Sequence, residues 1–241
     1  MGATATNAPA NDVGGRFFGL LKERARPTWR AYSEHAFVRG LGDGTLPEPC
    51  FRHYLVQDYV FLIQYARAHA LAVYKGETLE ELRFAAAGVT GIMASELKLH
   101  LDYCRQWGLD EAQLIATPED PRNMAYTRYV MERGMAGDYL DLLVGLAPCT
   151  MGYAEIGHRL LSDPATKRRD NPYYPWIESY GGPIFQQLAR DTADHMDRAA
   201  ERRLGWNFEQ SPRFDELART FEAATRLEVG FWDMGLDAPR S

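Results

Sequence analysis

The stretch FRHYLVQDYVFLIQY, residues 51–65, decides the fold class. Phe51, Leu55, Leu62 and Tyr65 recur at the spacing of one helix face, whereas a half-buried strand alternates apolar and polar residues. One residue breaks the stripe. Asp58 falls in its middle, where an apolar side chain is expected. Burying a carboxylate costs free energy unless partners compensate it. Asp58 therefore calls for a buried donor, an ion-pair partner or a ligand.

Outward from this stretch the period stays helical. The pattern predicts helices over 16–39, 48–75, 78–107, 121–136, 138–161, 181–204 and 212–234. Turn chemistry separates them: GLGDGTLPEP at 40–49, TPEDP at 117–121 and the proline-bearing, basic stretch 162–175. The last of these is expected to be a solvated connection. Ser211-Pro212 reads as an N-cap followed by proline in the first helical turn. No strand, repeat or low-complexity linker stands out. The expected architecture is all-α, one helical domain over 15–236 packed as a bundle around an internal pocket. Short tails are expected at 1–14, whose small polar residues lack a secretory signal's apolar middle, and at 237–241.

Composition limits the partners. The 241 residues are 46% hydrophobic, enough for a sizeable core, and carry a net charge of −6. An acidic chain lacks the basic footprint that nucleic acid or an anionic membrane requires. No apolar run is long enough to span a bilayer. Cys50, Cys104 and Cys149 form no C-x-x-C pair and no disulfide framework, which suits a reducing cytoplasm.

The chemistry-bearing residues are spread over several predicted helices. In the last helix Leu217, Phe221, Ala224 and Phe231 define a face that also holds Glu228. Two inward acids, Asp58 and Glu228, suit a polar ligand or proton transfer; taken singly, each is more simply read as held by a buried arginine or tyrosine. In LAPCTMGYAEIG (146–157), Cys149 and Tyr153 lie one turn apart on one face. By spacing alone Cys149 is a packed core thiol, because a nucleophile needs a neighbour that makes the thiolate. Cys50 and Cys104 read as packing residues. The double glycine of WIESYGG (176–182) permits a sharp turn that presents Tyr180 at a helix entrance. Three pairs have a metal-ligand flavour: Glu155 with His158, Glu96 with His100, and Asp191 with His195. Solvent-facing acid–imidazole pairs produce the same spacings, and the acids around His195 suggest a solvated face.

Five blocks in this order resemble the TenA family (thiaminase II, aminopyrimidine aminohydrolase), in its cysteine-bearing branch. They are FVRGLGDGTLP (37–47), LVQDYVF (55–61), LAPCTMGYAEIG, WIESYGG and LEVGFW (227–232), and the likeness spans about Trp29 to Gly235. The resemblance implies a heme-oxygenase-like bundle, a homotetramer, and no metal or organic cofactor. The implied reaction belongs to thiamin salvage. It converts 4-amino-5-aminomethyl-2-methylpyrimidine to the hydroxymethyl pyrimidine and ammonia, and in many members also cleaves thiamin. The family pattern makes Cys149 the nucleophile and Glu228 the acid that contacts the pyrimidine and moves protons. Asp58, Tyr126, Tyr153 and Tyr180 match substrate-binding positions. Phe61 stands where some members have tyrosine. Two other readings stay open: a di-iron oxidase of the same fold, motivated by Glu155-x-x-His158 and Asp191-x-x-x-His195, and a non-catalytic pyrimidine-binding or regulatory protein.

Overall fold

A computed structural model of the protein describes residues 14–238. The expected tails fall mostly outside that range. Within it, Asp237 accepts a bond from Arg122 at 2.6 Å and Ala238 is buried, so both belong to the folded part.

Every regular element among the described residues is helical. Three short helices open the chain: α1 (Arg16–Arg24), α2 (Arg26–Ser33) and α3 (Ala36–Asp43). The single helix predicted over 16–39 is broken twice. Pro27 lies in the first turn of α2 and disfavours continuous helix before it. His35 takes an extended conformation and its ring accepts the Phe37 N–H, capping α3. The long α4 (Glu48–Lys75) has the predicted limits. Next come α5 (Leu79–Gly91), a π-helical turn at Ile92–Glu96 and α6 (Leu97–Arg105), which together fill the stretch predicted as one helix. A short α7 (Glu111–Ala116) was not expected. It starts on a reciprocal cap between Asp110 and Gln113. The chain continues through α8 (Pro121–Ala136) and α9 (Tyr139–Ser162).

The expected turn at 176–182 is instead most of a helix, α10 (Tyr174–Gly181). The break comes at Gly182, with Pro183 opening α11 (Pro183–Leu204). Tyr180 therefore sits in the last turn of α10 rather than at the entrance of α11. The glycines serve packing between helices. A Cβ on Gly157 of α9 would fall 2.5 Å from the Gly181 nitrogen, so the two backbones approach too closely for any side chain. The final helix α12 (Phe214–Leu236) starts two residues later than predicted, after Pro212.

Stretch 162–175 is held down rather than loosely solvated. Lys167 N–H donates to the Gly42 carbonyl at 2.9 Å, and Asn171 Nδ2 to the Leu41 carbonyl at 2.9 Å. Its tip, Lys167 to Asp170, is exposed throughout, whereas Thr166, Asn171 and Tyr173 are buried.

The core runs along α4, α9 and α12. Helix α9 is apolar nearly all round and buried along most of its length, as expected of a central helix. Pro148 lies inside it and removes one backbone hydrogen bond immediately before Cys149. Ion pairs hold the periphery: Arg203 of α11 grips both oxygens of Glu81 at 2.7 and 3.1 Å, tying α11 to α5. No helix among the described residues is long and apolar enough to cross a membrane.

Candidate active site

Helix α4 supplies one wall of an enclosed site. Tyr54, Asp58, Phe61 and Tyr65 follow each other at three- or four-residue steps and share its inward face, and all four are buried. One-turn pairs on other helices close the rest: Cys149 and Tyr153 on α9, Trp176 and Tyr180 on α10, Glu228 and Trp232 on α12. Helix α8 adds Tyr126. The structure thus gathers Asp58, Phe61, Tyr126, Cys149, Tyr153, Tyr180 and Glu228 around one region.

Hydrogen bonds fix the polar groups. Tyr54 Oη donates to Asp58 Oδ2 at 3.0 Å and lies 3.2 Å from Tyr153 Oη, while Trp176 Nε1 donates to Tyr54 at 3.3 Å. Tyr126 Oη donates to Glu228 Oε1 at 2.8 Å. Tyr65 Oη lies 3.0 Å from Thr150 Oγ1 and 3.2 Å from the Leu146 carbonyl, beside the Cys149 turn. Flat surfaces complete the enclosure. Phe61 stacks on Tyr126 and on Tyr65 at 5.2 and 5.3 Å between centroids. Tyr153 packs edge-on against Tyr180 at 4.9 Å. Phe61 thus keeps a stacking role where a tyrosine would add a hydroxyl.

Glu96 and His100 were not expected here. They close the π-helical turn and enter α6, and His100 is buried. Its Nε2 lies 2.7 Å from Asp58 Oδ2 and its Nδ1 lies 2.9 Å from the Glu96 carbonyl. A carbonyl can only accept, so Nδ1 carries a hydrogen. The Nε2 contact with a carboxylate also needs a hydrogen between the two atoms. Burial opposes the charged imidazole, but the bond to Asp58 and its charge outweigh that, and the His100 pKa is raised. The pair shares that hydrogen and is neutral overall. The one-turn spacing of Glu96 and His100 was visible in the sequence; what it faced was not.

Burial also displaces the proton affinities of the site's tyrosines, of two further carboxyl groups and of the thiol. Burial pushes Glu228 up to about 8, against the lowering effect of Tyr126. Burial also raises Glu96 to about 7, partly offset by the charge of His100. The Cys149 thiol is raised well above its ordinary value, first by burial and then by Glu228, Glu96 and Asp58. Cys149 and Glu96 each keep some accessible surface. In the empty site the thiol is protonated, and its activation requires a proton acceptor.

The other metal-flavoured pairs resolve as structural contacts. Glu155 accepts from Trp29 Nε1 at 3.0 Å and pairs with Lys22, pinning α1 and α2 to α9. His195 does not lie on a solvated face. It is buried, its ring 3.9 Å from that of Phe84 and its Nε2 2.8 Å from Tyr139 Oη. Its face of α11 also carries Ala189, Thr192, Ala193, Met196, Ala199 and Ala200, mostly small residues that permit close packing. Asp191 is exposed and bonds to Gln187. Among the described residues no three His, Cys, Asp or Glu side chains are grouped to hold a metal ion. The di-iron reading therefore has no ligand set here.

Residues 22–238 match the model of the TENA/THI-4/PQQC family. The aminopyrimidine aminohydrolase of Halalkalibacterium halodurans is 33% identical over 219 residues, covering 90% of this chain and 94% of that protein. A crystal structure from a Silicibacter species, described as a TenA family transcription regulator, is 50% identical and superposes with a TM-score of 0.89 over 92% of this chain and 97% of that one. A domain with a heme oxygenase-like fold from Shewanella denitrificans shares the fold alone, at 14% identity and a TM-score of 0.64 over 90% of each chain. With the helical bundle, the enclosed thiol and the family match in agreement, this chain belongs to the TENA/THI-4/PQQC family.

Proposed function

We propose that this protein is an aminopyrimidine aminohydrolase of thiamin salvage, converting 4-amino-5-aminomethyl-2-methylpyrimidine and water to the hydroxymethyl pyrimidine and ammonia. The observation that carries this reading is the Cys149 thiol, enclosed among aromatic planes and three carboxyl groups. Similarity to the Halalkalibacterium halodurans aminohydrolase supports it. The homotetramer, the cytoplasmic location and cleavage of thiamin, all implied by the resemblance, belong to the same proposal.

The chemistry suits the side chains. Direct displacement at the methylene gains no help from the aromatic ring. Addition of the Cys149 sulfur forms a C–S bond to a ring carbon and ends that aromaticity. The thiol proton passes through Glu228 to a ring nitrogen. Raised to about 8, Glu228 is close enough to neutrality both to accept and to donate. The ring's electrons then break the exocyclic C–N bond, and the protonated amine leaves as ammonia. Water adds to the resulting methylene and releases a proton to solvent. Cleavage of the C–S bond returns its electron pair to sulfur and the ring proton, through Glu228, to Cys149. The balance is substrate ammonium plus water giving alcohol plus ammonium. Phe61, Tyr126 and Tyr153 offer the ring its stacking surfaces, and Asp58 the acceptor for its 4-amino group.

Steady-state ammonia release from the aminomethyl pyrimidine, compared with thiamin, tests the proposal. Cys149→Ser is expected to lower turnover at least about a thousandfold, with unchanged helical circular dichroism. Activity near wild type in that variant would remove the nucleophile. Tight pyrimidine binding without turnover in the wild type would favour the non-catalytic binding reading.

A further inference from the structure

Three carboxyl groups surround the Cys149 thiol, and the reading above employs two of them. Asp58 is engaged, since Tyr54 and His100 both reach its Oδ2. Glu228 is held by Tyr126 at 2.8 Å. Glu96 is held far more loosely, with Tyr180 Oη 3.4 Å from its Oε1. It closes the π-helical turn, an insertion that re-aims the helix face. Its charged and titratable neighbours are Asp58 and Tyr65 of α4, His100 of α6, Cys149 of α9 and Tyr180 of α10.

We propose that Glu96, steadied by Tyr180, binds the protonated amine on the methylene arm of the pyrimidine and so selects aminomethyl over hydroxymethyl pyrimidines. The inference rests on the aminohydrolase reading. A ring lying against the Cys149 sulfur has four polar functions: two ring nitrogens, the 4-amino group and the arm. Three of these can meet a carboxyl group: the nitrogen that is protonated in the reaction, the 4-amino group and the arm. Glu228 takes the nitrogen and Asp58 the 4-amino group, which leaves Glu96 for the arm. Charge points the same way. The Asp58–His100 pair is neutral, and Glu228 is mostly protonated at pH 7. Glu96, at about 7 in the empty site, is then the acid there most ready to ionise beside a cation. A primary ammonium matches that single charge, and a hydroxyl does not. The product, neutral at the arm, is released more easily than the substrate binds.

Calorimetric binding on the Cys149→Ser background separates the possibilities, because neither pyrimidine is consumed. That background is expected to bind both the aminomethyl and the hydroxymethyl pyrimidine. Adding Glu96→Gln should weaken the aminomethyl compound at least about tenfold, the scale of a lost charged hydrogen bond, and leave the hydroxymethyl compound within about twofold. Equal losses for both compounds, or none, overturn the inference. With Glu96 intact, aminomethyl binding should strengthen relative to hydroxymethyl binding as pH rises through about 7, since any effect of Glu228 on the shared ring is common to both. This second measurement needs no change at Glu96, and a flat ratio of the two affinities also overturns the inference. Failure of the background to bind either pyrimidine overturns the aminohydrolase reading itself, and the inference with it.

Discussion

At Asp58 two groups converge on one oxygen, and one of them is the buried His100 ring. Such a pair costs desolvation to assemble, and removing one partner strands the other's charge. His100→Leu should therefore destabilise the protein by about 3–5 kcal/mol. Asp58→Leu alone strands the opposite charge with a similar loss. The double variant removes both charges, so its loss should be clearly less than the sum of the singles. Urea unfolding of the four proteins gives the coupling. Additive losses would mean that the two groups do not hold each other.

Helix crossings carry the site as much as its side chains do. Tyr180 and Trp176 ride on α10, and α10 is seated on α9 where Gly157 meets Gly181. A methyl group at Gly157 would meet backbone, which cannot rotate away. Gly157→Ala should cost about 1–3 kcal/mol or more, the usual range for overpacking. It should also lower kcat/KM for the aminomethyl pyrimidine, because α10 must move and Tyr180 moves with it. Thermal unfolding and steady-state kinetics read the two effects. Wild-type kinetics in a destabilised variant would show that the position of α10 does not govern the site. The π-helical turn acts in a similar way, bringing Glu96 and His100 to the wall formed by α4.

The stability of the whole molecule reflects the buried acids. Glu228 at about 8 and Glu96 at about 7 both lie above their unfolded values, so the folded chain binds more protons than the unfolded chain between those limits. Their contribution is fully present below the unfolded carboxylate pKa. It is lost as pH rises through about 7 and then about 8. The ligand-free protein should thus lose stability from pH 5 to 9, and Glu228→Gln should flatten that slope. Urea midpoints across this range measure it. A slope unchanged in Glu228→Gln would place the linkage on other groups.

Periodicity was enough to read the all-α class, the limits of α4 and α8, and the inward placement of Asp58 and Glu228, because a helix face is a local property of the chain. Family-like blocks in the sequence also pointed to the residues now found around Cys149. Other features depended on helices far apart in sequence. Asp58 meets His100 from 42 residues away, and Tyr126 meets Glu228 across 102. Spacing could not reveal that Glu96 and His100 face Cys149 and Asp58, or that His195 is buried against Phe84. Nor could local turn chemistry show that the double glycine closes a helix crossing, since glycine serves a bend and a close approach alike. The sequence by itself determined the helices and the kinds of chemical group they carry. Only the tertiary structure decided which groups share one cavity, because burial and proton affinity are set by neighbours from other helices.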